Sequence, residues 1–167
     1  MKRNGYSLVE MLIVIAIIGI LAGLATAGFV GWVKKYNTEN QVKEMYADFM
    51  STRIMAMSKN RTHFVNLSAN QYTIYDDTSP SPNGDGTLTI GSDTQVLLPK
   101  DLKYPVAWNG GAQIGFNPRG LAVTQKTVCV YSTVNPSYDC IVISQTRLIM
   151  GKLKTQGVCD SDNCKTR

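Results

Sequence analysis

An uninterrupted apolar run near the N-terminus dominates the hydrophobic and polar pattern of this chain. Residues 11–33 include no charged residue and no proline. As an α-helix, these 23 residues would extend over about 34 Å, enough to cross the ~30 Å hydrocarbon core of a bilayer. The run therefore predicts a membrane-spanning helix.

Beyond this run, apolar residues recur at helical spacing with charged residues between them. The apolar positions are Val42, Met45, Tyr46, Phe49, Ile54 and Met57. Such i, i+3, i+4, i+7 spacing is typical of an amphipathic helix. Because nothing between residues 7 and 57 breaks a helix, we expect one rod of about 75 Å whose second half packs against a globular head.

From residue 61 the pattern changes to short β-prone runs separated by turns. The stretch 78–86 is rich in Ser, Pro, Asn, Gly and Asp and predicts an exposed loop. We expect an α+β fold, in which the long N-terminal helix packs against an all-β C-terminal head. The candidate strands are residues 63–67, 72–75, 87–90, 95–98, 113–116, 121–123, 128–132, 141–144 and 147–154.

All four cysteines lie in the last 40 residues or so of the chain. If a hairpin turns at residues 134–135, Cys129 and Cys140 face each other across two strands, close enough for a disulfide. Cys159 and Cys164 enclose a short polar loop that a second disulfide would close. Four cysteines allow three pairings, and we favour these two local ones.

The cysteine spacing also bears on metal binding and on the cellular compartment. Neither Cys-x10-Cys nor Cys-x4-Cys, with His63 far away, fits a tetrahedral zinc site. Disulfides form in oxidising compartments, so we expect the C-terminal part outside the cytoplasm and the N-terminus inside it.

Residues 2–10, KRNGYSLVE, resemble the leader and cleavage site of type IV prepilins. The resemblance implies cleavage after Gly5, with Tyr6 as the new N-terminus and a site of N-methylation. It also implies that Glu10, at the start of the span, pairs with the new α-amino group on its own or a neighbouring subunit during assembly. Tyr6 stands where the family most often has Phe, and Ala27 stands where many members have Pro.

Two other interpretations of the N-terminus are a secretory signal peptide and an uncleaved membrane anchor. A secretory signal peptide has an apolar stretch of about 7–15 residues, shorter than this run. An uncleaved anchor with a glutamate at the lipid interface remains an alternative, and would make the chain a membrane-anchored periplasmic binding protein. Gly19 and Gly23 form a small-xxx-small pair that favours close approach of another helix.

The head resembles GspH/FimT-type minor pilins and pseudopilins. Residues 114–120, IGFNPRG, match a motif of these heads, and residues 151–154, GKLK, match a C-terminal Gly-Arg-x-Arg element in charge only. The expected organisation is a prepilin leader at 1–5, a helix at 6–58 that spans the membrane to about residue 33, a β-rich head at 59–155, and a tail at 156–167 with a small disulfide loop.

No enzymatic site, cofactor or metal is predicted. His63 has no evident nucleophile or acid partner in sequence, and we interpret it as a surface or strand residue. Three acidic turns could offer oxygens to Ca²⁺, but none has a complete ligand loop with a bidentate Glu, so solvated turns are favoured. These turns lie at residues 76–77, 83–86 and 160–162.

Basic residues are concentrated near the C-terminus. The net charge of +5 falls to +3 when Lys2 and Arg3 leave, which by itself does not predict nucleic-acid binding. Alternation on one strand would place Lys152 and Lys154 on the same face. By resemblance to DNA-uptake minor pilins, Arg147, Lys152 and Lys154 form a candidate patch for non-specific DNA binding.

The sequence thus predicts a structural subunit and not an enzyme. We expect a minor pilin or pseudopilin, cleaved by prepilin peptidase, in the assembly-initiating complex of a type IV pilus or type II secretion pseudopilus. Its expected partners are other pilins through the N-terminal helix, the peptidase and the inner membrane, with DNA as the alternative partner. The expected location is the inner membrane, single-pass with the head periplasmic, and then the filament.

Overall fold

The computed structural model describes residues 6–166, and for residues 24–27 the backbone only. Its first element is a single α-helix, α1, Leu8–Ser58, of 51 residues. Ser7 precedes it in extended conformation, and after it Lys59 N–H donates to Met55 O at 2.9 Å. Asn60 then takes a left-handed backbone conformation, φ 51°, which no longer continues a helix. The uninterrupted helix agrees with the sequence prediction.

The rest of the described chain folds into two antiparallel sheets. One has four strands in the order β3-β2-β1-β5, and the other has five in the order β4-β6-β7-β8-β9. The strands are β1 His63–Leu67, β2 Gln71–Asp76, β3 Thr94–Asp101, β4 Val106–Trp108, β5 Gln113–Phe116, β6 Lys126–Val130, β7 Cys140–Ile143, β8 Leu148–Leu153 and β9 Cys164–Thr166. A long helix followed by an antiparallel β head confirms the predicted α+β class.

The strand predictions at 87–90 and 121–123 were wrong. Residues 87–90 instead form an irregular turn next to Asp93, whose carboxylate accepts a hydrogen bond from Thr89 N–H at 2.7 Å. Residues 121–123 contribute only an isolated bridge, Phe116 with Ala122. The short strands β4 and β9 were not predicted, because three residues carry too little periodicity to be recognised.

The core lies between one face of α1 and both sheets. Phe49 is fully buried and meets Tyr72 edge-on, with ring centroids 6.0 Å apart. From the helix, the buried side chains recur every three or four residues: Val42, Met45, Phe49, Thr52 and Ala56. From the sheets, the buried side chains include Val65, Ile74, Ile114, Phe116, Val128, Val130, Ile141 and Ile143.

Ile54 and Met57 were expected in the core but are 57% and 44% exposed. The buried stripe continues instead through Thr52 and Ala56, which keep the spacing set by Val42 and Phe49. Thr52 is tolerated there because its hydroxyl donates to Asp48 O at 2.7 Å.

Polar contacts at the start of the head fix the rotation of α1. The amide of Gln41 binds both backbone groups of Tyr104, at 2.8 Å and 2.9 Å. Glu39 accepts from Ser137 N–H at 2.6 Å. Burial alone would raise the pKa of Glu39, but that hydrogen bond and the lysines at 35 and 43 hold it below its usual value.

A second polar cluster joins α1 to the four-stranded sheet. Lys100 lies 2.7 Å from Asp48 and 2.9 Å from Glu44, and the Tyr72 hydroxyl also donates to Asp48. Burial and the Asp48 hydrogen bond raise the pKa of Tyr72, so its phenol stays protonated and acts as a donor. Residues far apart in sequence are thereby held to one face of the helix.

Replacing Phe49 with alanine should destabilise the head by about 3–5 kcal/mol, because it opens a cavity between α1 and β2. Ile54→Ala, on the exposed side of the same helix, should change stability by no more than about 0.5 kcal/mol. Urea denaturation of the full-length protein in mild detergent measures both. Equal losses for the two variants would contradict the observed rotation of the helix.

Candidate functional site

The first half of α1 is covered by no other part of the described chain. The helix is long and apolar enough to cross a membrane, with an 18-residue window of mean hydropathy 2.7 in which no residue is buried. Its exposed large apolar residues include Leu8, Val9, Met11, Leu12, Ile13, Ile17, Ile20, Leu21, Phe29 and Val30. A surface of this kind requires lipid or other helices around it.

Tyr6 and Glu10 lie at the exposed tip of this half, and Gly5 lies outside the described residues. Tyr6 is 80% exposed, and Glu10 is the one acidic residue of the first helical turn. Within residues 6–166 no basic side chain forms a salt bridge with Glu10. The head therefore provides no counter-charge for this carboxylate.

Aromatic and basic residues mark the end of the apolar segment. Phe29, Trp32 and Tyr36 stack along one side of the helix, with centroid separations of 6.2 Å and 5.7 Å. Lys34 and Lys35 follow directly after residue 33. Trp, Tyr and Lys at this place are typical of a membrane–water interface.

The glycines of this segment are not required by packing within the described part of the chain. A methyl group on Gly19, Gly28 or Gly31 would meet no atom within 4 Å beyond the neighbouring helix backbone. Each glycine costs helix stability, about 1 kcal/mol relative to alanine.

The IGFNPRG motif, residues 114–120, forms the turn that leaves β5 and contacts the end of α1. Ile114 and Phe116 are fully buried, and the Asn117 side chain accepts from the N–H groups of Arg119 and Leu121, both at 3.0 Å. Gly120 has φ +72°, and a Cβ there would lie 2.6 Å from Met57 Sδ. The motif thus joins the sheet to the helix and is structural.

The two disulfides correct our pairing. Cys129 and Cys140 do stand opposite each other in the β6–β7 register, as predicted. They are not bonded to each other, because Cys129 bonds Cys159 and Cys140 bonds Cys164. The reason is the unpredicted strand β9, which folds back along β8 and brings the last two cysteines onto this pair. Residues 159–164 are therefore not a disulfide-closed loop; their turn is held by Asp160, which accepts from Asn163 N–H at 2.6 Å.

Gly151 makes this arrangement possible. It pairs with Cys140 on one side and Thr166 on the other. A Cβ at Gly151 would lie 2.7 Å from Cys164 Sγ and 2.8 Å from Lys165 O. The glycine of the GKLK segment thus lets β9 and its disulfide lie close over β8.

Three lysines line one groove beside β9, which we call the lysine groove. It has a volume of about 360 Å³ and is lined by Asn135, Lys152, Leu153, Lys154 and Lys165. Lys152 and Lys165 are direct cross-strand partners, an arrangement of like charges that is unfavourable without an anion. Among the described residues, none of the three lysines is in a salt bridge, although Lys154 donates to the backbone O of Asp162.

A neighbouring groove of about 590 Å³ shares Asn135, Leu153 and Lys154 with the lysine groove, and adds Tyr131, Ser132, Thr133 and Gln156. Buried Asp139 supports both, accepting from Leu153 N–H at 2.6 Å and from Gln156 Nε2 at 3.0 Å. Burial raises the pKa of Asp139 above its ordinary value, against the effect of these hydrogen bonds. The sequence analysis did not identify Asp139. The one feature that could have indicated its role is that it is an acidic residue directly before an apolar strand, β7.

Arg147 does not belong to this groove. It precedes β8, whereas Lys154 follows the opposite end of that strand. At about 3.3 Å per residue, the seven residue steps from Arg147 to Lys154 correspond to roughly 23 Å. Arg147 is therefore separated from the other two residues of the proposed basic patch, Lys152 and Lys154. The third lysine of the groove is Lys165.

His63 is a strand residue and not a surface residue, and the expectation of solvated acidic turns is wrong for Asp76 and Asp77, which are both buried. His63 is fully buried in β1, its Nδ1 lies 3.1 Å from Arg61 O, and burial lowers its pKa. Asp76 is paired with Lys59 at 3.0 Å, and Asp77 accepts from Gly86 N–H at 2.7 Å. Within residues 6–166 no group of three or more His, Cys, Asp or Glu side chains is arranged to hold a metal ion.

This combination of an exposed apolar half-helix and a β head fixed to its other half is the architecture of a pilin-like subunit. Residues 1–26 match the prokaryotic N-terminal methylation motif, and residues 41–146 match the family described as type II transport protein GspH. The chain belongs to this GspH family.

Two solved structures share the fold, both crystal forms of the type IV minor pilin FimU from Pseudomonas aeruginosa PAO1. The first match covers 74% of this chain and 97% of the crystallised FimU chain, with a TM-score of 0.50. The second covers 78% and 97% with a TM-score of 0.52, and the identity is 16% in both. A comparison with curated protein sequences gives no significant match.

Gly151→Ala should destabilise the head by about 1–3 kcal/mol and lower the yield of the Cys140–Cys164 bridge, because the new methyl group has no space beneath β9. Gly111→Ala is the matched control, since a Cβ there meets no atom within 4 Å. Non-reducing peptide mapping measures the bridges. Finding Cys129 joined to Cys140 in the unmodified protein would contradict the observed strand β9.

Proposed function

We propose that this chain is cleaved by prepilin peptidase after Gly5 and joins the assembly-initiating complex of a type IV pilus or type II secretion pseudopilus. The observation that carries the proposal is the uncovered apolar half of α1, on the same helix whose other half is fixed in the head. Lipid surrounds this half before assembly, and the helices of neighbouring subunits surround it afterwards. The glycines at 19, 28 and 31 then have a role, since they let those helices approach closely.

Glu10 has the central part in this assembly. Cleavage after Gly5 creates an α-amino group on Tyr6 with a pKa of about 7.7, largely cationic at neutral pH. A carboxylate drawn into the apolar interior of a filament is costly unless it is paired, so pairing with this amine selects one register between subunits. The absence of a basic partner for Glu10 in the described part of the chain supports an intermolecular or N-terminal partner.

The disulfides support the proposed orientation. Both bridges lie in the head, and disulfides persist in oxidising compartments, which supports a periplasmic head and a cytoplasmic leader before cleavage. N-methylation of Tyr6 would follow cleavage. The alternative of an uncleaved, membrane-anchored binding protein differs in retaining residues 1–5.

DNA uptake stays a prediction. Lys152, Lys154 and Lys165 provide three positive charges in one groove, but Lys lacks the planar fork with which Arg binds phosphate bidentately. Duplex DNA binding that weakens steeply with salt would support this role.

Replacing Gly5 with a bulky residue such as valine should abolish or strongly slow processing, whereas Gly5→Ala should be tolerated better, because the peptidase must accommodate the residue before the cut. Immunoblotting in a host that expresses prepilin peptidase separates precursor from mature protein. Unchanged processing of Gly5→Val would show that the cut is elsewhere.

Glu10→Ala should insert into the membrane normally but enter filaments at least about tenfold less well, since the lost pair corresponds to more than ~1.4 kcal/mol per subunit contact. Asp101→Ala, which removes an exposed carboxylate at the end of β3, is the control. The amount of each variant in sheared filaments, relative to membranes, is the measurement. Normal incorporation of Glu10→Ala would refute the pairing.

A further inference from the structure

The loop between β6 and β7 connects the lysine groove to the start of the head. Lys34 and Thr38 of α1 line one cavity with Tyr131, Ser132, Thr133 and Val134 of this loop, together with Tyr104. Further along the loop, Ser137 donates to Glu39 and the Tyr138 ring lies 5.8 Å from Lys43 Nζ. The same loop also lines the two grooves, with Asn135 in both and Tyr131 in the groove of about 590 Å³.

This contact lies very close to the end of the apolar segment. From residue 33 to Glu39 the helix rises by only about 9 Å. Trp32 and Tyr36 flank the same boundary, where such residues meet the headgroup layer. The loop, and the lysine groove behind it, therefore belong to the end of the head nearest the span.

The acids at this end of the head offset only part of its positive charge. Lys34 and Lys35 add two charges to the three of the lysine groove. Glu39 stays charged and offsets part of the charge of Lys35 and Lys43, and buried Asp139 offsets part of the charge of Lys152. Asp160 accepts from Asn163 in the turn before β9, and Asp162 contributes its backbone oxygen to Lys154. The lysines at 34, 35, 43, 152, 154 and 165 outnumber the acids at 39, 139, 160 and 162, so this end keeps a net positive charge.

We infer that, before assembly, the lysine groove together with Lys34 and Lys35 binds the phosphate headgroups of anionic lipids. This inference depends on the proposed function, because it requires the helix to span the membrane. Each lysine at an anionic surface strengthens association by on the order of fivefold. The span also tethers the groove beside the bilayer, which gives lipid phosphate a high effective concentration that a DNA molecule in solution does not have.

Lipid binding would orient the head on the membrane and hold the subunit there until it is extracted into a filament. The like-charged pair Lys152 and Lys165 is then stabilised by an anion between or beside the two side chains. The basic groove therefore has a role in a subunit that contacts no nucleic acid.

The test uses the full-length protein reconstituted in vesicles of phosphatidylcholine alone or of phosphatidylcholine with phosphatidylglycerol. Amide hydrogen exchange is measured for peptides covering residues 131–137 and 152–166. We expect slower exchange with phosphatidylglycerol, reversed by high salt because screening weakens the contacts.

Lys152→Gln/Lys154→Gln should weaken this association by roughly 25-fold. Arg119→Gln/Arg147→Gln, which removes the same charge from exposed residues outside the groove, should keep it, as should Lys152→Arg/Lys154→Arg.

The possible outcomes distinguish a failure of the membrane anchor from a failure of the lipid-binding site. Flotation with neutral vesicles tests the membrane anchor alone, and its failure would refute the anchor and the lipid site together. Flotation with identical exchange in both lipid mixtures would refute only the lipid site. Protection by a short DNA duplex in neutral vesicles, without any from phosphatidylglycerol, would also refute it and assign the groove to nucleic acid. Equal loss of protection in the Gln and Arg groove variants would indicate a folding defect and not charge, and would likewise overturn the inference.

Discussion

The packing of the second half of α1 against both sheets determines how the rest of this subunit is presented. Because Val42, Met45 and Phe49 are buried on one side of the helix, the helix cannot rotate or slide without opening the core. The amide of Gln41 and the carboxylates of Glu39 and Asp48 then fix its register against the head. The first half continues the same helix, so its apolar surface and Glu10 are held in a defined direction although no other part of the described chain covers them.

The C-terminal segment is held to the head mainly by two disulfides and not by a large hydrophobic core. The strand β9 has only three residues, and two disulfides attach the segment that contains it to β6 and β7. Gly151 allows the close approach, and the buried Asp139 satisfies backbone and side-chain donors at the end of β8. These constraints bring Lys165 to Lys152, two like charges that a freely moving C-terminus would separate. The lysine groove thus depends on disulfides and one glycine as much as on its lysines.

Local patterns were sufficient to predict the long helix, the all-β head and the register that places Cys129 opposite Cys140. Local patterns did not predict burial or disulfide pairing where these depend on contacts between segments far apart in the sequence. Ile54 and Met57 continue the apolar pattern, yet Thr52 and Ala56 are buried because the stripe keeps the spacing of Val42 and Phe49. Cys159 could not be assigned to Cys129 from spacing, since the assignment depends on the C-terminal segment folding back over the sheet. For the same reason Asp139 was missed, and Lys165 was counted among the C-terminal basic residues but not placed in the predicted patch.

The central claim is that one helix anchors the protein in the membrane and then, after cleavage, joins it to other subunits. N-terminal sequencing of the protein recovered from sheared filaments, beside the protein from membranes of a strain without prepilin peptidase, tests this claim most directly. We expect the filament form to begin at Tyr6 and the membrane form of the mutant strain to keep residues 1–5. A filament form that retains the leader, or a protein found only in membranes when the peptidase is present, would contradict it.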